Sequence, residues 1–294
     1  MKYKKNKSQN NTNFVFEDLI SYVTKDKSQK IKPVFKTDDF ALYNNNCLDV
    51  LKRFPENYVD MIFADPPYLL SNNGFSCQNG KRVSVNKGKW DKSKGFDEDL
   101  DFHDEWIKEC KRVLKPEGTI WISGTYHSIY KCGFLLQKHN FHMLNDIAWF
   151  KPNAAPNLSC RFFTASHETV LWARKDKKAK HHFNYNDMKN GDFPEDNIKK
   201  PLLQMRSVWS IPTLSREEKI FGKHPTQKPL ALLKRIVKAS TKDGDIILDP
   251  FNGGGTTGIA SKVIGNRKYI GCDLDKQYID LTIKRYEELR SKGK

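Results

Sequence analysis

The amino-acid sequence predicts an α/β fold: a doubly wound, mostly parallel sheet with a region inserted between its two parts. Three observations carry this expectation. Apolar runs of strand length alternate with stretches of helical spacing over residues 40–173 and again over 229–290. Two of the strands end on sharp turns, one with paired prolines and one with three glycines, each turn beginning at an aspartate. Between the alternating stretches, residues 175–223 are basic and polar, and Pro194, Pro201 and Pro212 interrupt any long element there.

Each element follows in chain order. Residues 1–36 read as a basic arm rich in Lys, Asn and Ser, disordered by composition, with only 14–23 patterned for a short helix. A strand over 40–43 leads to a helical turn over 49–54. VDMIFA at 59–64 is the run expected of a strand buried on both faces, and Asp65-Pro66-Pro67-Tyr68 stops it. Residues 104–114 set Trp106, Ile107, Cys110, Val113 and Leu114 on one helical face. Pro116-Glu117-Gly118 turns the chain into a strand over 119–123, and a helix over 128–138 and strands over 147–150 and 169–173 follow. Beyond the insertion, Leu232, Leu233, Ile236 and Val237 stripe a helix over 229–240. A strand over 245–248 ends at Asp249, the turn 252–255 opens a helix over 256–264, and a strand over 268–272 ends at Asp273. An amphipathic helix spans 277–290, and no repeat of solenoid period is found.

Composition narrows the function classes. A chain of 294 residues suggests one or two domains. Its net charge of +16 points to a polyanionic partner, either nucleic acid or an anionic membrane surface. Apolar residues make up 38%, mean hydropathy is −0.70, and no apolar run approaches the ~18 residues of a membrane span. Residues 1–13 lack the apolar core of a secretory signal, so the expectation is a soluble, cytoplasmic protein. The six cysteines, Cys47, Cys77, Cys110, Cys132, Cys160 and Cys272, form no C-x-x-C pair; neither a zinc site nor a redox pair is expected, and their scatter suits a reducing compartment.

The glycine turn, from Asp249 through Phe251, Asn252, Gly253, Gly254, Gly255 and Thr256 to Gly258, joins a strand to a helix. Glycines there let the backbone approach a ligand at the carboxyl edge of the sheet, although tight strand–helix turns use glycine in any case. The turn has no G-K-[ST] and is not a phosphate-binding Walker loop; its pattern is F-x-G-x-G. Asp249 and Asp273 flank the crevice, and carboxylates repel phosphates. They suit a ligand with an ammonium group and a free ribose diol, and S-adenosylmethionine has both without a phosphate. A plain structural turn accounts for either aspartate alone, less well for the set.

Asp65-Pro66-Pro67-Tyr68 places a carboxylate, rigidly held carbonyls and a flat aromatic at the same edge. An exocyclic amino group on a base, with two N–H donors and a π face, fits that set. Such an amine is a poor nucleophile, because its lone pair is delocalised into the ring. Accepting hydrogen bonds from both N–H groups favours a pyramidal nitrogen that can attack a sulfonium methyl in line, so the chemistry is one of positioning and electrostatics.

These motifs together resemble the DNA amino-methyltransferases of restriction–modification systems. The catalytic motif precedes the cofactor motif, as in the permuted β class, and His224-Pro225-Thr226-Gln227-Lys228-Pro229 is similar to that class's further cofactor motif. The resemblance covers roughly residues 40–290. It implies a methyltransferase catalytic domain over 37–294, with 175–223 as an inserted target-recognition region. It implies that Asp65 and the Pro66 carbonyl accept from the target amino group, next to Pro67, and that Tyr68 stacks on a flipped base. Phe251, Gly253, Gly255 and Thr256 would line the cofactor, with Asp249 near its amino group and Asp273 on the ribose hydroxyls. Thr226 and Lys228 would approach its methionine end, and His224 of the same motif would bind the cofactor as well. Asn46-Cys47 is similar to the family's adenine-side contact, with Asn46 where Asp is common.

Asp as the first tetrad residue usually accompanies adenine N6 methylation in this family, and Ser often accompanies cytosine N4. Residues 153–162, followed by His167-Glu168-Thr169, are similar to the subgroup that methylates adenine in GATC or GANTC, GATC being favoured. The partner is then DNA, with a cognate restriction endonuclease acting separately and a homodimer as the expected assembly. Lys175, Lys177, Lys178 and Lys180 are expected to contact phosphates beside the cofactor edge. Arg161 and Arg206 carry the directional donors that base reading needs. Cytosine-N4 transfer by the same machinery and a non-catalytic nucleic-acid-binding protein are the competing readings.

Overall fold

The protein is described by a computed structural model that covers residues 31–69, 75–78, 81–84, 91–222 and 224–292. Nine strands form one sheet in the order β1-β2-β11-β10-β3-β6-β8-β7-β9. The strands are β1 (Phe35–Lys36), β2 (Phe40–Asn44), β3 (Val59–Ala64), β6 (Leu114–Gly124), β7 (His142–Phe150), β8 (His167–Arg174), β9 (Val208–Ser210), β10 (Ile246–Asp249) and β11 (Lys268–Asp273). A separate hairpin pairs β4 (Phe75–Gln78) with β5 (Lys81–Ser84). The helices are α1 (Cys47–Leu51), α2 (Phe96–Val113), α3 (Ile129–Lys138), α4 (Tyr185–Asn190), α5 (Leu230–Ser240), α6 (Thr256–Ile264) and α7 (Lys276–Lys292).

Helices cover both faces of the sheet, which is why β3 reads as an unbroken apolar run. Its Ile62 and Ala64 join one core with Val50 of α1, Trp106 and Ile107 of α2 and Leu135 of α3. Its Met61 and Phe63 join the other with Leu232 and Ile236 of α5, Ile259 of α6 and Ile279 of α7. β2, β11, β10, β3 and β6 run parallel. The chain leaves β3 toward α2 on one face and leaves β10 into α6 on the other. That reversal opens a crevice at the carboxyl ends of β3 and β10, where open α/β sheets bind ligands.

Most expected elements are present, with two bounds, 59–64 and 256–264, as expected. Two expectations change. The arm is shorter than 1–36: Ile31 is buried and β1 pairs antiparallel with β2, so residues 31–36 belong to the fold. Residues 1–30, including the helix expected at 14–23, lie outside the described residues.

The insertion is also tied to the body of the fold. Met188 of α4 is buried in the second core, and the Asn184 side chain donates to the carbonyls of Lys238 and Thr241. Asp196 forms a buried ion pair with Arg235 of α5 at 2.6 Å, and the guanidinium lies over the rings of Phe193 and Trp209. β9 then adds to the sheet parallel to β7.

The structure places the lysine run at the edge opposite the expected one, for a topological reason. β8 runs antiparallel to β6, with Thr169 opposite Gly124 and Arg174 opposite Thr119. Its start therefore lies at the carboxyl edge of the parallel strands and its end at the opposite edge. Lys175, Lys177, Lys178 and Lys180 follow that end, away from the crevice. Lys175 Nζ donates to Asn57 Oδ1 at 2.7 Å and to the Leu114 carbonyl at 2.5 Å, which ties it to that far edge.

Candidate active site

Parallel register delivers the site. β10 pairs Asp249 with Gly271, β11 pairs Asp273 with Asn44, and β3 ends at Ala64 beside them. Asp65, Asp249, Asp273 and the Asn45-Asn46 turn are thus brought to one edge by strands far apart in sequence. They wall a cavity of about 400 Å³, within the ~300–1,000 Å³ range of small-molecule sites.

The glycine turn is braced from behind. Asn252 Nδ2 donates to Thr282 Oγ1 at 2.9 Å, Tyr269 donates to Asn252 Oδ1 at 2.9 Å, and Arg285 donates to the Gly254 carbonyl. Gly253 and Gly255 both hold left-handed backbone, at φ +48° and +72°. They differ in direction. A Cβ on Gly253 would face the His224 ring at 3.5 Å, on the cavity wall. A Cβ on Gly255 would overlap Thr282 of α7. Gly255 does not line the cavity: the close approach that needs it is to α7, and it caps α6. Gly254, Thr256 and Phe251 do line it, and Phe251 is held edge-to-face against Trp106 at 5.3 Å.

Both strand-end aspartates are braced by the turn they face. Asp249 accepts from the Phe251 N–H at 3.0 Å and the Thr257 hydroxyl at 2.6 Å. Burial, with the charges of Asp65 and Asp273 added, pushes its pKa up to about 7. Asp273 accepts from the N–H groups of Gly253 at 2.7 Å and Asp275 at 2.9 Å, and burial pushes it up to about 6. A cationic ligand in the cavity would favour the ionised form of both. Asn46 lines the cavity but its side chain is the N-cap of α1, accepting from the Leu48 N–H at 2.9 Å. Cys47 lines it too, with its thiol pushed up to about 12 by burial.

His224 lies on the cavity wall, its Nδ1 3.2 Å from the Thr226 hydroxyl and its ring edge-on to Tyr278. Thr226 lines the cavity as well. Lys228 lines it too, with its ammonium turned to the Asp-Pro-Pro-Tyr motif. Its Nζ donates to Asp65 Oδ2 at 2.5 Å and sits 5.2 Å from the Tyr68 ring centroid.

Tyr68 is buried and donates toward Asp65 Oδ1 at 2.8 Å and Glu168 Oε2 at 2.9 Å. Glu168 in turn pairs with Lys151 at 3.1 Å and with Lys228 at 3.6 Å. Burial raises the Asp65 pKa, Lys228 opposes this, and Glu168 adds to it. Burial also pushes on Glu168, but the ammonium groups of Lys228 and Lys151 outweigh it and hold Glu168 at about 2.

Past the tetrad, Leu69 adopts φ +60°, a strained value for a branched residue, and its N–H donates to the buried Asp91 at 2.8 Å. Pro66 is buried and Pro67 lines the cavity. Sequence reading missed the link between Asp65 and Lys228 and the positions of Glu168 and Lys151. Glu168 was visible only as part of His167-Glu168-Thr169.

Arg161 is exposed in the loop 151–166, between β7 and β8, at the crevice edge; Arg206 is exposed just before β9. Among the described residues no helix is long and apolar enough to cross a membrane, and no cluster of three or more His, Cys, Asp or Glu side chains could hold a metal ion.

The similarities to known proteins agree with this arrangement. The model of the N6/N4 DNA methylase family matches residues 59–284. The chain is 48% identical over 264 residues to the Type II methyltransferase M2.MboI of Moraxella bovis, covering 88% of this chain and 93% of that protein. It is 50% identical over 257 residues to the Type II methyltransferase M2.DpnII of Streptococcus pneumoniae, covering 87% and 92%. Its fold is similar to that of the M1.HpyAVI–SAM complex, with a TM-score of 0.62 at 28% identity, covering 84% of this chain and 98% of that one. With the tetrad and the glycine turn meeting in one crevice, and a family model spanning most of the chain, this protein belongs to the DNA methylase family.

Proposed function

We propose that the protein transfers a methyl group from S-adenosylmethionine to N6 of adenine in a short duplex DNA sequence, GATC rather than GANTC, within a restriction–modification system. The observation that carries this reading is the position of Asp65. Its carboxylate lies on the wall of the same cavity as the glycine turn, next to the Tyr68 ring.

The cavity's donor set fits the cofactor. Asp249 and Asp273 provide carboxylates whose ionised forms a cation favours, and Gly253 and Gly254 bring backbone close without side chains. When bound, S-adenosylmethionine supplies an electrophilic sulfonium methyl. Asp65 accepts from the amino group of an adenine taken out of the duplex, and Tyr68 supplies a π face for it. Held so, the nitrogen lone pair would face that methyl, and the Asp65 carboxylate would take the surplus amino proton as the methyl passes from sulfur to nitrogen. Catalysis comes from preorganised position and charge.

The protein's net charge of +16 and the exposed Arg161 beside the crevice support duplex DNA as the partner. A separately acting endonuclease, a homodimer and a cytoplasmic setting complete the proposal. The described cysteines, free of disulfides, support the last, and the mass in solution tests the dimer. The decisive experiment methylates a plasmid in vitro and reads the modified positions by single-molecule sequencing. N6-methyladenine at GATC is expected. N4-methylcytosine, which the same amino chemistry would produce, overturns the adenine assignment.

A further inference from the structure

Lys228 holds the place that this function assigns to the target base. Its ammonium donates to Asp65 Oδ2 at 2.5 Å and lies over the Tyr68 ring, and the other Asp65 oxygen takes the Tyr68 hydroxyl at 2.8 Å. An amino group that donates to Asp65 beside the Tyr68 ring requires this ammonium to withdraw. Withdrawal of a buried ammonium is strongly unfavourable unless another anion receives it.

Glu168 meets that need. Its Oε2 lies 3.6 Å from Lys228 Nζ and 2.9 Å from the Tyr68 hydroxyl, within reach of both donors that the base must displace. Its other oxygen is held by Lys151 at 3.1 Å, and the Ser123 hydroxyl lies 3.5 Å from Oε2. The four charges, Asp65, Glu168, Lys151 and Lys228, are two of each sign and all nearly buried. Glu168 is contributed by β8, an antiparallel strand outside both the tetrad and the glycine turn.

We propose that Glu168 is a positioning residue that receives the Lys228 ammonium and the Tyr68 hydroxyl when the target amino group takes their places on Asp65. The site then exchanges one set of donors for another with no buried charge left unpaired. Lys151 acts at one remove, fixing Glu168 where the transfer can reach it. The lowered pKa of Glu168 keeps it ionised at neutral pH, as a receiver must be. This inference rests on the proposal that Asp65 and Tyr68 take the base.

The test compares the parent with Glu168→Gln, Glu168→Asp and Lys151→Gln for steady-state methylation of duplex DNA, cofactor affinity and thermal midpoint. Glu168→Gln keeps the shape and loses the charge. Its kcat is expected to fall about 10²-fold at temperatures where it stays folded, the scale of one lost preorganised electrostatic contact, with KM for the cofactor little changed and the thermal midpoint lowered because Lys151 loses its anion. Glu168→Asp restores the charge and is expected to recover roughly tenfold of that loss, about 1.4 kcal/mol of transition-state stabilisation. Lys151→Gln is expected to lower kcat severalfold.

Parental kcat in Glu168→Gln overturns the inference and leaves the proposed function standing. So does a loss that only tracks thermal midpoint or cofactor affinity, since a structural staple would do that. Should Glu168→Gln fail to fold, an unchanged kcat in Lys151→Gln overturns it instead. If the parent itself makes no N6-methyladenine, the proposed function falls and the inference falls with it.

Discussion

Asp249 shows how burial sets the behaviour of a single residue at this edge. Its pKa, raised from 3.8 to about 7, lies above its unfolded value, so its protonated form contributes stability that is full at acid pH and is lost as pH rises through about 7. An ammonium or sulfonium ligand favours the carboxylate instead. Cofactor affinity is therefore expected to rise between pH 6 and 8, and Asp249→Asn should flatten that rise and raise the thermal midpoint of the free protein at pH 8. Calorimetric titration at three pH values checks this; a flat profile in the parent would count against it. At Asp65 the expectation is different. Asp65→Ala leaves Lys228 with Glu168 as its anion, so the fold should hold, while methyl transfer falls by roughly 10²–10³. Near-parental turnover measured with tritiated cofactor would sink the assigned part. The residue types and order of both motifs were legible in the sequence. The Lys228–Asp65 pair was not, because residues 163 positions apart meet only through the sheet.

At the scale of elements, the turn between β10 and α6 separates two uses of glycine that look alike in sequence. Alanine at either Gly253 or Gly255 must adopt a left-handed backbone, at a cost of roughly 1–2 kcal/mol. At Gly253 that is most of the cost, because the new methyl meets the His224 ring at an ordinary distance. At Gly255 the methyl overlaps Thr282, and overpacking adds about 1–3 kcal/mol. Thermal unfolding should thus rank Gly255→Ala well below Gly253→Ala, while cofactor affinity should suffer in the folded Gly253→Ala protein. An equal loss of stability in the two variants would contradict the geometry. Strands and helices with a strong period were readable. α2 begins at Phe96, eight residues before the expected start at 104, because its first turn is acidic and exposed; Asp99 turns inward to Ser93, and Leu100 and Phe102 pack only partly against the core. The three residues of β9 carry no period at all and become a strand only because β7 offers an unpaired edge.

Across the whole molecule, the direction of β8 decides which surface can meet DNA. The loop 151–166 and the segment that follows β9 share the crevice edge and are linked there by the Thr213 N–H to Asn153 Oδ1 bond at 2.9 Å. Phe162 and Phe163 are 70% and 97% exposed on that loop, beside Arg161. Arg161→Ala is expected to weaken binding to a specific duplex and, if the contact is to phosphate, to reduce the salt slope by about one. Replacing Lys177, Lys178 and Lys180 together by Gln should leave affinity within about twofold, because they lie on the far edge beyond a screening length of ~8 Å from the crevice. Fluorescence anisotropy over a salt series separates the outcomes, and the reverse ranking would place the DNA on the other edge.

The sequence by itself determined the doubly wound class, most of the elements, and the two motifs that meet at the crevice. Those signals are local: apolar period, proline and glycine punctuation, and motif order. Tertiary structure alone decided three things. It joined the insertion to α5 through the buried Asp196–Arg235 pair, turned the lysine run away from the crevice, and set Lys228 between Asp65 and Glu168. Strand direction and side-chain pairing across the sheet depend on which strands become neighbours, and no window along the chain contains that information.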